Sequence, residues 1–511
     1  MTDYLTVVLL GCFLVAIVYC GFLSRVLNRR LPLPPGPPGH FLLGHYDTVP
    51  TDAPFKYYAQ VGKEYDSDVV YFETCGTKWI VLNSLNAAVD LLDKRGYIYS
   101  DRPRFVMNQL MGWGATLTWL RWSPKMLMHR RVLSQPFTKS KVRQFQPIQR
   151  REAINAVTSM ISEPEQWQKA VRRFTVAIVL SISYGIDLHA KDDTYIKIAD
   201  DAAEATRNVG PPASSILDRI PITRHFPSWL PFMERLRYAE KWRWAIANIT
   251  NIPFEEASRN AENGAYRPCF VNERLAVYND NEQKGLPNEF DLHDIKGAAA
   301  TLYIAGNDTT ATTITLFILY MMQNRRVLLK AQEEIDQVVG TSRLPDWRDL
   351  PRLEYLNLIL EEIYRSSPIS PLGVPHASTK DDVYRGMFIP KGTIVYQNVW
   401  AMTHDETVYS RPFDFYPERY LSVSEGGNGE PRPIGNFGFG RRICIGRNLA
   451  ENSLMMIFAM IVATLDINWP DSTPYEIEWS YRGITHPKPF KCALTPRSRD
   501  SRELLLSESA I

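Results

Sequence analysis

Residues 4–23 (YLTVVLLGCFLVAIVYCGFL) form an unbroken apolar run without a single charge. At about 1.5 Å per residue, a helix of that length spans roughly 30 Å, the hydrocarbon thickness of a bilayer. The pattern predicts a single-pass transmembrane anchor over residues 1–24. A cleaved signal peptide is the rival, but Met1–Thr6 carries no basic residue and no small-x-small cleavage site follows. Arg25, Arg29 and Arg30 stand directly behind the run, and basic residues there stay on the cytoplasmic side. Residues 25–39 end in LPLPPGPPG, whose prolines cannot continue a helix and restrict the residues before them. They read as a stiff hinge.

Beyond the hinge the pattern changes. Residues 68–82 (DVVYFETCGTKWIVL) are two β-branched and aromatic runs around Cys75-Gly76-Thr77-Lys78, a hairpin. Residues 383–399 predict a second hairpin with Pro390-Lys391-Gly392 at its turn. Residues 291–338 predict one long helix followed by another after Asn324, and 352–367 and 446–465 predict two more. The expectation is a mainly α fold with small β-sheets, one catalytic domain over 40–500 and a tail over 501–511. Residues 207–234 are an apolar loop punctuated by Pro211, Pro212, Pro221, Pro227 and Pro231. Its Ile216, Leu217, Phe226, Trp229, Leu230 and Phe232 suit either a buried connector or a loop dipping into a membrane interface.

Composition narrows the function classes. The 58 basic and 56 acidic residues leave a net charge of +2, with no basic run that would grip nucleic acid. The six cysteines include no C-x-x-C, which argues against a disulfide framework and a cysteine-rich zinc site. Individual thiols must then be explained, and one stands out. Cys444 lies in Phe437-Gly438-Phe439-Gly440-Arg441-Arg442-Ile443-Cys444-Ile445-Gly446, at the mouth of a predicted helix. Helix N–H groups and the macrodipole lower the pKa of a thiol there, and a thiolate is an axial ligand for iron. Gly440 and Gly446 let the backbone approach a flat ligand closely, and Arg442 offers a permanent charge to an anionic group. A glycine-rich nucleotide loop is excluded because position 443 is isoleucine and no βαβ unit surrounds it.

Phe437, Gly440, Arg442, Cys444 and Gly446 spell F-x-x-G-x-R-x-C-x-G, and the chain resembles the cytochrome P450 family over nearly its whole length. Glu362-Ile363-Tyr364-Arg365 resembles the family's E-x-x-R motif, and Pro417-Glu418-Arg419-Tyr420 its P-E-R-[FY] segment. The resemblance implies a P450 fold, haem b (iron-protoporphyrin IX) ligated by Cys444, and a buried salt-bridged triad of Glu362, Arg365 and Arg419. Read alone, Glu362 and Arg365 are an ordinary i,i+3 helix pair.

On the long helix, Thr309 follows Ala305 by four residues, so its hydroxyl can take that carbonyl, while Gly306 weakens the same turn. The result would be a local opening for a diatomic ligand and a water. Asp308-Thr309 resembles the family's acid–alcohol pair, which implies that these two residues deliver protons. Arg130, in His129-Arg130-Arg131, resembles the arginine of W-x-x-x-R, but Met126 stands where the tryptophan belongs and Trp122 is four residues too early. His376, and more weakly Arg102, resemble further propionate contacts. A lone surface arginine is the default for Arg102.

The resemblance implies a monooxygenase that puts one atom of O2 into an apolar small molecule. No flavin or nicotinamide unit is visible, so electrons would come from NADPH–cytochrome P450 reductase on the endoplasmic reticulum membrane, approaching near Arg441 and Arg447. The pattern, with Pro496-Arg497-Ser498 near its end, looks most like fungal members of secondary metabolism. A haem-thiolate isomerase or lyase, and a non-catalytic haem sensor or carrier, are the alternatives. The Asp308-Thr309 pair speaks against the first. Val106, Met107, Leu302 and Val374 are candidates for an apolar lining, with core packing the equal alternative.

Overall fold

A computed structural model describes residues 31–41, 43–188, 193–210, 215–481 and 483–509. The predicted anchor at 1–24 lies outside the described residues, and among these no helix is long and apolar enough to cross a membrane.

The fold is organised on the helix Leu292–Gln323. Its 32 residues run about 48 Å at 1.5 Å each. Asp291 and Asp294 form a reciprocal capping box at its start, and Asn324 ends it before the helix Arg325–Val338 begins. Its C-terminal half is buried from Ala311 onward among helices Gln146–Ser162, Trp167–Tyr184, Glu354–Ser366 and Arg447–Thr464, with Phe317 stacked on Phe458 at 3.9 Å. Its N-terminal half, up to Tyr303, packs into a second apolar cluster with helices Val106–Met111, Thr194–Arg207 and Glu234–Glu262. Residues 304–310 therefore sit at the seam between two cores. Ile445 leans on one cluster and Phe437 and Leu449 on the other, so the cysteine loop straddles the same seam.

Strands β1 (Val69–Thr74) and β2 (Thr77–Leu82) form the expected hairpin, turned by Cys75 (φ 48°) and Gly76 (φ 80°). Two consecutive positive φ angles match the right-handed twist of the flanking strands. The second hairpin differs from expectation. Strands β4 (Asp382–Tyr384) and β5 (Met387–Ile389) turn at Arg385 (φ 49°) and Gly386 (φ 79°), the same two-residue device. Pro390-Lys391-Gly392 instead carries the chain out to β6 (Ile394–Gln397), which joins a different sheet of order β1-β2-β6-β3 beside β3 (His376–Ala377). That sheet fixes His376.

Both ends of the body are better packed than the sequence suggests. The proline segment is a docked strap, not a free hinge. Proline lacks an N–H but keeps its carbonyl, and here Pro35 O accepts from Tyr71 N and Pro32 O from Phe388 N. Residues 501–509, set apart above as a tail, belong to the helix Arg499–Ser509, which buries Leu505 completely. In the 207–234 loop, Leu217 is buried, but Trp229 and Phe232 are 75% and 76% exposed.

Candidate active site

Cys444 is exposed. Its N–H donates to Phe437 O at 2.8 Å, closing the loop just before the helix Arg447–Thr464. The N–H groups of Gly446 and Arg447 and the charges of Arg130 and Arg447 stabilise its thiolate, as the helix-mouth position predicts. Burial outweighs them, and the thiol's pKa is pushed up, not down. Exposure and burial are compatible: the residue is accessible, yet enough protein surrounds the sulfur to desolvate it. A cation bound to the sulfur would reverse the balance, because a coordinating thiol is deprotonated outright.

The two glycines play different parts. A Cβ on Gly440 would lie 2.2 Å from Leu92 O, and φ is 53°, so the neighbouring segment requires glycine there, not a ligand. A Cβ on Gly446 would meet only Cys444 Sγ, at 3.9 Å. That glycine leaves space beside the sulfur.

Beside the cysteine loop stands a cluster of cations. Arg442 is buried and donates from Nε to Ser100 O and from Nη2 to Leu120 O, both at 2.8 Å. Arg102 is only 4% exposed and donates to Thr118 O, Val374 O and Pro375 O, so the default of a surface arginine fails. Arg130 donates to Ile443 O at 2.8 Å, next to the cysteine. Burial pushes the pKa of all three downward, Arg442 to about 10; their mutual repulsion adds to this for Arg102 and Arg442. Guanidinium groups nevertheless stay charged, so the push marks a need for negative charge. Asp101 helps, but its carboxylate is shared with Arg121 and the N–H groups of Arg102 and Trp122. His376 Nδ1 donates to Tyr99 O at 2.7 Å, and burial and then Arg102 hold its pKa well below the usual range. Its remaining nitrogen can donate to an anion only as imidazolium, which a carboxylate alongside would favour.

An open thiol flanked by a cluster of arginines suits a flat, dianionic iron macrocycle. These residues fit haem b. Met126 is completely buried in the apolar core, so it does not replace the missing tryptophan at the arginines. Trp122 lies under Arg441, 5.4 Å from its guanidinium. His129, which sequence reasoning passed over, orients the Arg130 helix: its Nε2 lies 2.9 Å from Asp294 Oδ1, in the capping box of the long helix.

On that helix Ala305 is exposed and Thr309 half-buried. Thr309 Oγ1 donates to Ala305 O at 2.8 Å, as the spacing predicts. The helix nevertheless stays continuous through this turn. Gly306 serves close packing, since a Cβ would lie 2.5 Å from Val179 Cγ1. Asp308 is buried and turned away from the Thr309 side, with Oδ1 2.8 Å from Arg172 Nη1 and 3.5 Å from Arg207 Nη2. Val106 and Met107 are fully buried in the core, so packing accounts for both; Leu302 and Val374 are half-buried.

Behind the cysteine loop, Glu362, Arg365 and Arg419 are completely buried. Arg365 binds Glu362 through Nε and Nη2, both at 2.9 Å, and Arg419 Nε reaches the same carboxylate at 3.1 Å. Glu430, which no sequence motif indicated, accepts from Arg419 Nη1 at 2.7 Å, and Tyr420 donates to Glu362 at 2.8 Å. The network holds the helix Glu354–Ser366, whose Tyr364 packs edge-on against Phe437 at 5.5 Å. It thus braces the loop that presents Cys444.

A family model for cytochrome P450 matches residues 34–494. Tryptamine 4-monooxygenase of Psilocybe cyanescens is 34% identical over 510 residues, 97% of each chain. Cytochrome P450 monooxygenase 208 of Postia placenta is 35% identical, covering 96% of this chain and 95% of the relative. Cytochrome P450 monooxygenase ple1 of Rhodocybe pseudopiperita is 36% identical, covering 94% and 92%.

Proposed function

This chain belongs to the cytochrome P450 family of haem b monooxygenases, and we propose that it oxidises an apolar small organic molecule with electrons from NADPH–cytochrome P450 reductase. The observation that carries the reading is the juxtaposition of the open Cys444 with the Arg102, Arg130 and Arg442 cluster. When bound, haem b supplies the iron that activates O2 for insertion of one oxygen atom into the substrate. Cys444 would hold that iron, and the three arginines would hold the propionates. Phe437 and Gly446 shape the loop around the sulfur. The small, exposed Ala305 would leave room beside haem b, while Gly306 lets the long helix pack closely on Val179.

Thr309 Oγ1, held by the Ala305 carbonyl, keeps a water in place and passes a proton into the cleft. Asp308 is the next proton donor inward from solvent, and it delivers when its ion pairs with Arg172 and Arg207 open. A Thr309→Ala variant separates these roles from haem binding. Its carbon-monoxide band is unchanged, while product per NADPH consumed falls severalfold and hydrogen peroxide release rises. A misplaced proton transfer typically costs about 10²–10⁴-fold in rate. Unaltered coupling would remove Thr309 from the proton route.

The enzyme sits on the endoplasmic reticulum membrane through residues 1–24, with its body toward the cytosol, and serves fungal secondary metabolism. The exposed Ile220, Ile222, Phe226, Trp229 and Phe232 give the 207–234 loop an apolar surface suited to a second, interfacial contact. Deleting residues 1–24 should therefore leave weak, salt-resistant flotation with lipid vesicles. Adding Trp229→Ser and Phe232→Ser should abolish it. Complete release by the deletion alone would exclude the loop contact.

A further inference from the structure

About 11 residues, or roughly 16 Å, beyond Thr309 on the long helix, Tyr320 forms the base of a second cavity. None of the cysteine-loop, arginine-cluster or Ala305–Thr309 residues lines it. It lies between the start of the helix Pro54–Glu64, the turn after the helix Glu354–Ser366, and the segment carrying the short strands Trp479–Ser480 and His486–Pro487. Its volume is about 200 Å³. A dry cavity of about 150 Å³ is enough to bind benzene. This one has room for a fused pair of rings.

The walls are aromatic. Trp400 stacks on His404 at 4.6 Å, and Phe55 meets Tyr481 edge-on at 5.7 Å. Burial holds His404 near a pKa of about 3, so its ring is neutral at physiological pH and adds another flat surface. Phe413 stands at the rim, 72% exposed.

Two polar groups in this lining lack counterparts. Thr485 is 6% exposed, yet its buried Oγ1 has no hydrogen-bond partner among the described residues. Three neighbouring hydroxyls are engaged: Tyr320 pairs with Ser367 at 2.7 Å, and Ser366 accepts from Arg365 at 2.9 Å. A buried hydroxyl left unpaired is costly, and a ligand acceptor would satisfy it. Lys56 holds its ammonium 5.1 Å from the Tyr481 ring centre, with no carboxylate partner among the described residues.

We propose that this cavity is a second ligand site, separate from the Cys444 cleft, for a planar aromatic molecule of one or two rings bearing a carboxylate. The rings lie between Trp400, Phe413 and Tyr481, and the carboxylate faces Lys56 and accepts from Thr485 Oγ1 once that side chain turns its closed-off hydroxyl toward the cavity. A ligand there presses on the turn carrying Pro368 and Pro371 and on the segment carrying Thr485. Thr485 N donates to Ile369 O at 2.8 Å, tying those two segments together.

The test uses the haem-loaded enzyme with its reaction cavity filled by miconazole, an azole that ligates haem iron and is too large for the second cavity. Titration calorimetry with 2-naphthoate should then find about one equivalent bound, with a Kd on the order of 0.1 mM. Thr485→Val, which keeps shape and backbone, should weaken binding about five-fold, and Lys56→Met by a similar factor. Both variants should keep the carbon-monoxide spectrum of the parent. Loss of 2-naphthoate binding when miconazole is added would overturn the proposal, as would parental affinity in both variants. A missing thiolate band at the outset would count against the haem reading alone, and the naphthoate titration would still decide this one.

Discussion

Cys444→Ser should abolish the red-shifted Soret band of the reduced, carbon-monoxide-treated protein and reduce monooxygenase turnover to background. The loop backbone tolerates the change: Cys444 N still donates to Phe437 O, and serine is close in size. What disappears is a soft, electron-rich thiolate that pushes electron density toward iron and favours O–O cleavage. The arginine cluster does not depend on the sulfur, so much of the haem should remain bound. Arg442→Leu should do the reverse, with haem content falling while the retained haem keeps its thiolate band. A wild-type spectrum in Cys444→Ser would assign the axial ligand elsewhere.

Arg365→Leu should cost about 3–5 kcal/mol, the usual loss when one partner of a buried ion pair is removed and its charge is stranded. Here two buried carboxylates, Glu362 and Glu430, would be left to share Arg419, and the carbonyls of Thr403 and Pro412 lose the donor that Arg365 supplies. Against a typical stability of about 5–15 kcal/mol, that loss should appear as poor soluble yield and a markedly lower thermal midpoint. Arg365→Lys should rescue little, because an ammonium cannot reproduce the planar fork that serves both carboxylate oxygens and the carbonyls. Lys284→Ala is the control. It removes an exposed i,i+4 pair with Asp280 and should change the midpoint by no more than a degree or two. Equal midpoints for Arg365→Leu and the control would rule out the bracing role.

The elements legible from sequence were those fixed by local chemistry. The capped long helix and its end at Asn324, the Val69–Leu82 hairpin and the Thr309–Ala305 hydrogen bond follow from spacings of a few residues. The misplaced second hairpin is a near miss of the same kind. Arg385-Gly386 and Pro390-Lys391-Gly392 are both turn chemistry, and only the pairing of β6 with β2 selects the first. Motifs also located the Glu362, Arg365 and Arg419 triad, because buried charge pairing restricts residue type strongly.

Burial and charge balance at the site were decided by tertiary structure alone. Arg102 looked like a surface residue until loops from distant parts of the chain supplied three carbonyls for it. Glu430 completes the triad from a loop that no local pattern singles out. Gly440 is needed by the Leu92 carbonyl, a neighbour about 350 positions earlier in the chain. The helix-mouth position of Cys444 correctly named the groups that favour its thiolate, but not the burial that outweighs them. The physical reason is common to all four. Hydrogen bonding along one element depends on nearby residues, whereas steric contact, desolvation and electrostatic balance depend on everything the fold brings within a few ångströms.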